Sequence, residues 1–278
     1  MLPVICQQGI GDTFLILSRV PIRLLGKFGM RFNVFYTSVS HPALQAIVPF
    51  LENISYCTLL SRQPTSRELF LFSKLMSLSL RTNMLWTPPI DLHAKASKNG
   101  LNSGQKKILL HSHLDGHHGR KGINAKIWPI SNWISLCSAL HSLNYEVALL
   151  EYDAFSYDRI KIACPFVTDG IKASLHETVV SMAEYDLVFS IDSWTKYAAF
   201  WHKLPQVVVV PDLSVGFCGF EHLTADWVAK WWFQGIITDR NSKVIGLSKS
   251  ENSYIYSLGN INNLTVDVAI DQIQHLTK

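Results

Sequence analysis

Short apolar runs alternate with amphipathic stretches along this chain, in two successive series, and no other feature of the sequence restricts the fold as much. Runs of roughly four to eight apolar residues suit strands buried on both faces, and longer stretches with a one-sided apolar stripe suit helices. The first series opens with a strand at Pro3–Cys6, passes through Gln7-Gln8-Gly9-Ile10-Gly11-Asp12 and enters a helix over Thr13–Phe28. It continues with a strand at Phe32–Tyr36, a helix at His41–Leu51, a strand at Ile54–Leu60 and a helix at Ser66–Leu80, for which Ser66 is the expected N-cap. Residues 93–107 are polar and lack apolar periodicity, so they read as a linker.

The second series predicts strands at Ile108–His111, Glu146–Leu150, Asp186–Ser190 and Gln206–Val210. Its helices are predicted at Ser131–Leu143, His176–Glu184, Ser193–His202 and Val266–Leu276. Strand-helix alternation of this kind gives a parallel sheet with helices on its faces. The expected fold class is therefore α/β: two Rossmann-like parallel-sheet domains, 1–104 and 105–278, facing a central cleft. In such sheets ligands bind beyond the carboxyl ends of the strands, where tight turns lead into helix N-termini.

Composition agrees with that reading. At 278 residues the chain can bury two cores, and 48% hydrophobic against 17% charged residues excludes a disordered chain. Charges or prolines interrupt every apolar run before the roughly 18 to 20 residues that span a bilayer. The opening MLPVICQQGIGD lacks the basic region and long apolar stretch of a signal peptide, and the scattered cysteines make a reducing, cytoplasmic compartment the expectation. Cys6, Cys57, Cys137, Cys164 and Cys218 are scattered and odd in number, which argues against a disulfide framework or a zinc ribbon. The net charge of +4 suits an anionic partner without selecting one.

Three loops carry the residues with chemistry. In Gly9-Ile10-Gly11-Asp12 the glycines admit a ligand close to the backbone, and Asp12 is either a helix N-cap or a general base. The loop from His111 to Lys121 holds His111, His113, His117, His118 and Asp115, yet no helical spacing fixes a metal set; it reads as a basic loop that folds over phosphates. Lys126 and Trp128 follow it. The third loop, Ser190 to Thr195, passes from a strand end to a helix N-terminus, with Asp192 as a cap or an anion-site residue.

Together these loops resemble glycosyltransferase family 9, the heptosyltransferase-like group of the GT-B fold. The resemblance rests on GIGD at 9–12, on KxWP at 126–129 with Trp133 after it, and on the stretch from Ser174-Leu175 through Ala183 and Asp186-Leu187-Val188 to Ile191-Asp192-Ser193, with Pro205 thirteen residues beyond Asp192. It implies an inverting, metal-independent transfer of a heptose-like sugar from a nucleotide-sugar to an acceptor hydroxyl, with no cofactor. Carried over by position, Asp12 would be the base and Lys126 would bind the donor's phosphates. Gly9, Gly11, Trp128, Asp192 and Ser193 would lie at the donor, as would Trp194, Thr195 and Tyr197. The family usually has Gly where this chain has Trp194, and His where it has Tyr197.

The implied acceptor is a surface glycan, lipopolysaccharide or another lipid-linked saccharide. Two alternatives stay open at this point: a DNA-modifying glycosyltransferase acting on hydroxylated bases, and a non-catalytic nucleotide-sugar or glycan-binding module of the same fold. Arg19, Arg23 and Lys27, four apart on one expected helix, form either a solvated face or a contact for an anionic surface. Trp227, Trp231, Trp232 and Phe233 are expected to be core or domain interface rather than a sugar platform.

Overall fold

The computed structural model describes residues 1–6, 10–20, 22–36, 49–52, 54–81, 92, 104–112, 126–214 and 223–277, with the side chains of residues 10, 12 and 79–81 outside that description. The expected helix at His41–Leu51 and the expected linker at 93–107 fall largely outside it.

The first series folds as β1 (Leu2–Cys6), α1 (Ile10–Arg19), α2 (Ile22–Lys27), β2 (Phe32–Tyr36), β3 (Cys57–Leu60) and α3 (Ser66–Arg81). Its strands pair in parallel in the order β1-β2-β3, with Val4 opposite Val34 and Val34 opposite Leu59. Two expectations are corrected here. The helix foreseen over Thr13–Phe28 is two helices, and the sequence between them carries a proline, which has no N–H to continue a helical ladder. The N-cap of α3 is Thr65 rather than Ser66: the Thr65 hydroxyl accepts from the Glu68 N–H at 3.3 Å, and the Glu68 carboxylate accepts from the Thr65 N–H at 2.7 Å. This is a reciprocal capping box.

The second series supplies β4 (Lys107–His111), α4 (Ile130–Ser142), β5 (Glu146–Leu150), α5 (Ala154–Ala163), β6 (Thr168–Asp169), α6 (Leu175–Ser181), β7 (Leu187–Ile191), α7 (Thr195–His202) and β8 (Gln206–Val209). Next come α8 (Ala225–Val228), a π-helical turn at Ala229–Phe233, α9 (Gln234–Ile237), β9 (Ser242–Ile245), the hairpin of β10 (Leu247–Lys249) with β11 (Tyr254–Tyr256), and α10 (Val266–Thr277). The sheet order is β6-β5-β4-β7-β8-β9, all parallel. The chain thus winds outward from β4 to one edge, returns beside β4 as β7, and winds to the other edge. A doubly wound sheet of this order has its topological switch point between β4 and β7.

Period-two packing explains why those strands are apolar throughout. Val188, Val208 and Val210 face one core, which they share with Val4, Phe14, Leu17 and Phe32 of the first series and Trp194, Tyr197 and Trp201 around α7. Leu187, Phe189, Ile191, Val207 and Val209 face the other, with Trp128, Trp133, Leu136 and Ile273 of the α4 and α10 side. Neither face meets water.

The two series are joined by α1. Phe14 lies 4.4 Å from Trp201, ring centroid to ring centroid, and the Trp201 indole donates to Ser18 Oγ at 2.8 Å. Arg19 is 1% exposed; its guanidinium donates to the Lys230 and Trp231 carbonyls, from Nε to Trp231 at 2.9 Å, and sits 5.0 Å over the Trp231 ring. Burial pulls its pKa down to about 10, partly offset by Tyr197. The expected basic stripe is therefore corrected. Arg19 is an interior clasp on α1, Arg23 is half-buried on a separate helix, and only Lys27 is exposed. Of the aromatic cluster, Phe233 lies in the core that α1 shares with the second series and Trp227 and Trp232 pack against it, in line with the core-or-interface expectation. Arg19→Met, which keeps an apolar stem but removes the donors, should lower stability by about 2 to 3 kcal/mol, the worth of charge-assisted bonds to buried carbonyls. Thermal denaturation reads this directly, and an unchanged melting temperature would show that the clasp carries no load.

Candidate active site

The carboxyl ends of β4 and β7 bring together most of the residues that the sequence singles out. β7 ends at Ile191, and Asp192 stays tied to the sheet by its N–H, which donates to the Val209 carbonyl at 2.9 Å. The Asp192 side chain is 2% exposed. One carboxylate oxygen accepts from Lys126 Nζ at 2.7 Å and the other from Lys196 Nζ; Lys126 also reaches the Asp192 carbonyl at 3.1 Å. Burial by itself would raise the Asp192 pKa, but the two ammonium charges and their hydrogen bonds outweigh it and hold the carboxyl well below its usual range. What Asp192 offers a ligand is thus the position of Lys126, whose side chain is 13% exposed, rather than its own oxygens. The cap reading of Asp192 is corrected as well, since α7 starts at Thr195 with Trp194 as its N-cap residue.

Lys196 is further held 4.2 Å from the Tyr197 ring and 4.5 Å from the Phe233 ring. Thr195, fully buried, meets His111 Nδ1 at 3.0 Å and so ties the end of β4 to the start of α7. Ser193 is the half-buried residue of an otherwise buried turn. Trp194 lies 6.1 Å from Phe14 and 6.1 Å from His111, ring to ring. Tyr197 donates its hydroxyl to the Trp232 carbonyl at 3.2 Å.

The opening of α1 faces this turn. A Cβ added to Gly11 would lie in ordinary contact range, 4.0 Å from the Trp194 backbone and 4.0 Å from the Tyr197 ring, so the first turn of α1 lies directly against this turn. Asp12 is in the first turn of α1, two residues after its start, which replaces the N-cap reading; its side chain and Gly9 lie outside the described residues. The loop residues His113, Asp115, His117 and His118 also lie outside them. Among the described residues, no group of three or more His, Cys, Asp or Glu is placed to hold a metal, and no helix is long and apolar enough to cross a membrane.

Against solved structures, the chain matches E. coli ADP-heptose lps heptosyltransferase II with a TM-score of 0.59 at 14% identity, over 99% of this chain and 98% of that one. E. coli heptosyltransferase WaaC with ADP gives 0.54 at 12% identity over 99% and 97%. The dodecameric iron-containing heptosyltransferase TibC, in complex with ADP-D-beta-D-heptose, gives 0.55 at 12% identity over 99% and 76%. The chain has the GT-B-like fold of the heptosyltransferases. No protein-family model matches the sequence, and no curated protein matches it.

On this heptosyltransferase fold one expected donor contact is out of place. Trp128 is fully buried on the α4 side of the sheet, 5.1 Å from Trp133 and 6.4 Å from Phe189, and its indole donates to the Leu264 carbonyl at 3.1 Å. It is core, and it anchors the segment that presents Lys126. Two residues beside the turn were not singled out from the sequence. Lys196 had a signal, because a lysine in the first turn of the helix that follows Asp192 can reach back to its carboxylate. Glu151 follows β5 directly, beside the switch point; it is 3% exposed, accepts from Ser112 Oγ and takes the Asp153 N–H at 2.8 Å. An acid at the end of the strand next to the switch point is the signal that could have found it.

Proposed function

We propose that the chain is a glycosyltransferase that moves a heptose-like sugar from a nucleoside-diphosphate donor to a hydroxyl of a glycan or lipopolysaccharide acceptor, with inversion and without a metal. The observation that carries this reading is the Lys126–Asp192–Lys196 arrangement at the β4/β7 switch point, beside the start of α7 and opposite the start of α1. Two lysines around one carboxylate leave net positive charge where a diphosphate would lie, and the α7 amides add the positive end of a helix dipole. That two heptosyltransferases of this fold, WaaC and TibC, are described with ADP or ADP-linked sugars supports a nucleotide-sugar donor.

The chemistry is a single displacement. The acceptor oxygen bonds to the anomeric carbon, its proton passes to Asp12, and the bond from that carbon to the diphosphate oxygen breaks with its electron pair on the leaving group. Lys126 stabilises the charge that develops there. Glu151 stands where an acid accepts ribose hydroxyls in related nucleotide folds.

Melting the protein with ADP-, GDP-, UDP- and CMP-linked sugars tests the donor. A true donor at 100 times its Kd should add about 2.7 kcal/mol of stability. Lys126→Ala should weaken that binding roughly ten- to a hundredfold, the range for a lost charge-assisted bond. If no nucleotide raises the melting temperature, the reading fails.

A further inference from the structure

One helix of the first series is apolar on more sides than its packing uses. α3 turns Phe72, Leu75 and Met76 toward the core, yet Leu69, Phe70, Leu71 and Leu78 are 49%, 60%, 40% and 49% exposed. At about 100° per residue, Phe70 and Leu71 bracket Arg67 and Lys74 on the outward face, and both cations are exposed. Lys74 Nζ lies 5.3 Å from the Phe70 ring centroid, so charge and ring stand side by side. The one acid in the sequence of this helix, Glu68, is engaged by Arg62 at 2.7 Å and by the Thr65 cap. The outward face is therefore apolar and positive together.

α3 follows the carboxyl end of β3 and packs back on β1, so its last turn lies toward the amino ends of the strands. Met1, Phe28 and Met30 are exposed at that edge, along with Lys27 and Arg31. A second copy of the chain would set these cations against their like, and an ordinary apolar groove would leave them unneutralised. A surface of anionic head groups satisfies both parts: Phe and Leu enter the acyl boundary while Lys and Arg stems extend to phosphates.

We propose that the exposed face of α3, with the adjoining Met1–Phe28–Met30 edge, docks on an anionic bilayer surface. This inference does not depend on the transferase reading, since it uses none of the residues at the switch point.

The test is flotation of the full-length protein with phosphatidylcholine vesicles, with and without phosphatidylglycerol, at low and raised salt. Binding is expected only with phosphatidylglycerol and should fall with salt. Arg67→Gln and Lys74→Gln should each weaken it roughly fivefold, and Phe70→Ser by roughly tenfold or more. All three sites are exposed, so melting temperatures should stay near wild type. Absent binding, equal binding to neutral vesicles, or variants that bind like wild type would overturn the proposal. So would a concentration-dependent dimer that Phe70→Ser abolishes, which would make a second copy the occupant.

Discussion

Asp192→Asn is expected to lower folding stability by about 3 to 5 kcal/mol, although the substitution is nearly isosteric. The carboxylate is 2% exposed and neutralises two lysines that are themselves 13% and 4% exposed. Removing one partner of a buried ionic group leaves uncompensated charge, and that cost exceeds the worth of the pair itself. Two consequences separate this from a general loss of packing. The first concerns acid. The folded pKa of Asp192 is lowered relative to the unfolded chain, so the folded state binds fewer protons. Its contribution is complete at neutral pH and is lost as pH falls below about 4, the ordinary carboxyl value. Wild type should converge on the variant in strong acid, whereas a packing defect would keep the gap constant. The second is rescue: a nucleoside diphosphate should stabilise the variant more than wild type, because its phosphates replace the missing counter-charge. Denaturant unfolding across pH, with and without ADP, measures both.

Asp12→Asn is expected to cut transfer by roughly 10² to 10⁴, the usual contribution of a positioned general base. Folding should change little. An acid in the first turn of a helix contributes about 0.3 to 1 kcal/mol through the dipole, and α1 is anchored independently by Phe14, Ser18 and Arg19. Donor affinity should stay near wild type because the carboxylate would act on the acceptor. Single-turnover transfer, measured beside nucleotide-induced melting shifts, resolves the two quantities. Full transfer by the Asn variant would remove Asp12 from the mechanism and leave the donor side of the proposal standing.

Where apolar runs were flanked by unambiguous polar segments, the strands fell where the sequence put them: Phe32–Tyr36 and Glu146–Leu150 match residue for residue. α5, β6 and the stretch from α8 to β11 were not foreseen. In α5 the apolar residues Phe155 and Ile162 are exposed, so no stripe reports the buried side. β6 has two residues, too few to carry a period. At the site, Gly11, Lys126 and Asp192 were singled out by residue type at strand ends and helix starts, and the fold sets them around one turn. Their partners were not, since Lys126 and Asp192 stand 66 residues apart and Ser112 and Glu151 stand 39 apart.

The sequence by itself determined the alternation, and with it the parallel sheets and the strand ends at which a ligand could be held. That information is local: burial on both faces requires unbroken apolar runs, and tight turns require glycine or a helix start. Only the tertiary structure decided what each polar or aromatic side chain does there. Arg19 reads as a surface cation on a helical wheel, yet it closes on the carbonyls of a π-helical turn more than 200 residues away. Trp128 reads as a ligand contact in its motif, yet it fills the core behind the lysine it presents. Asp192 reads as a cap, yet it is the counter-ion of two lysines. The physical reason is common to all three. A long or charged side chain is assigned by the partner that offsets its desolvation, and that partner is fixed by how distant segments pack.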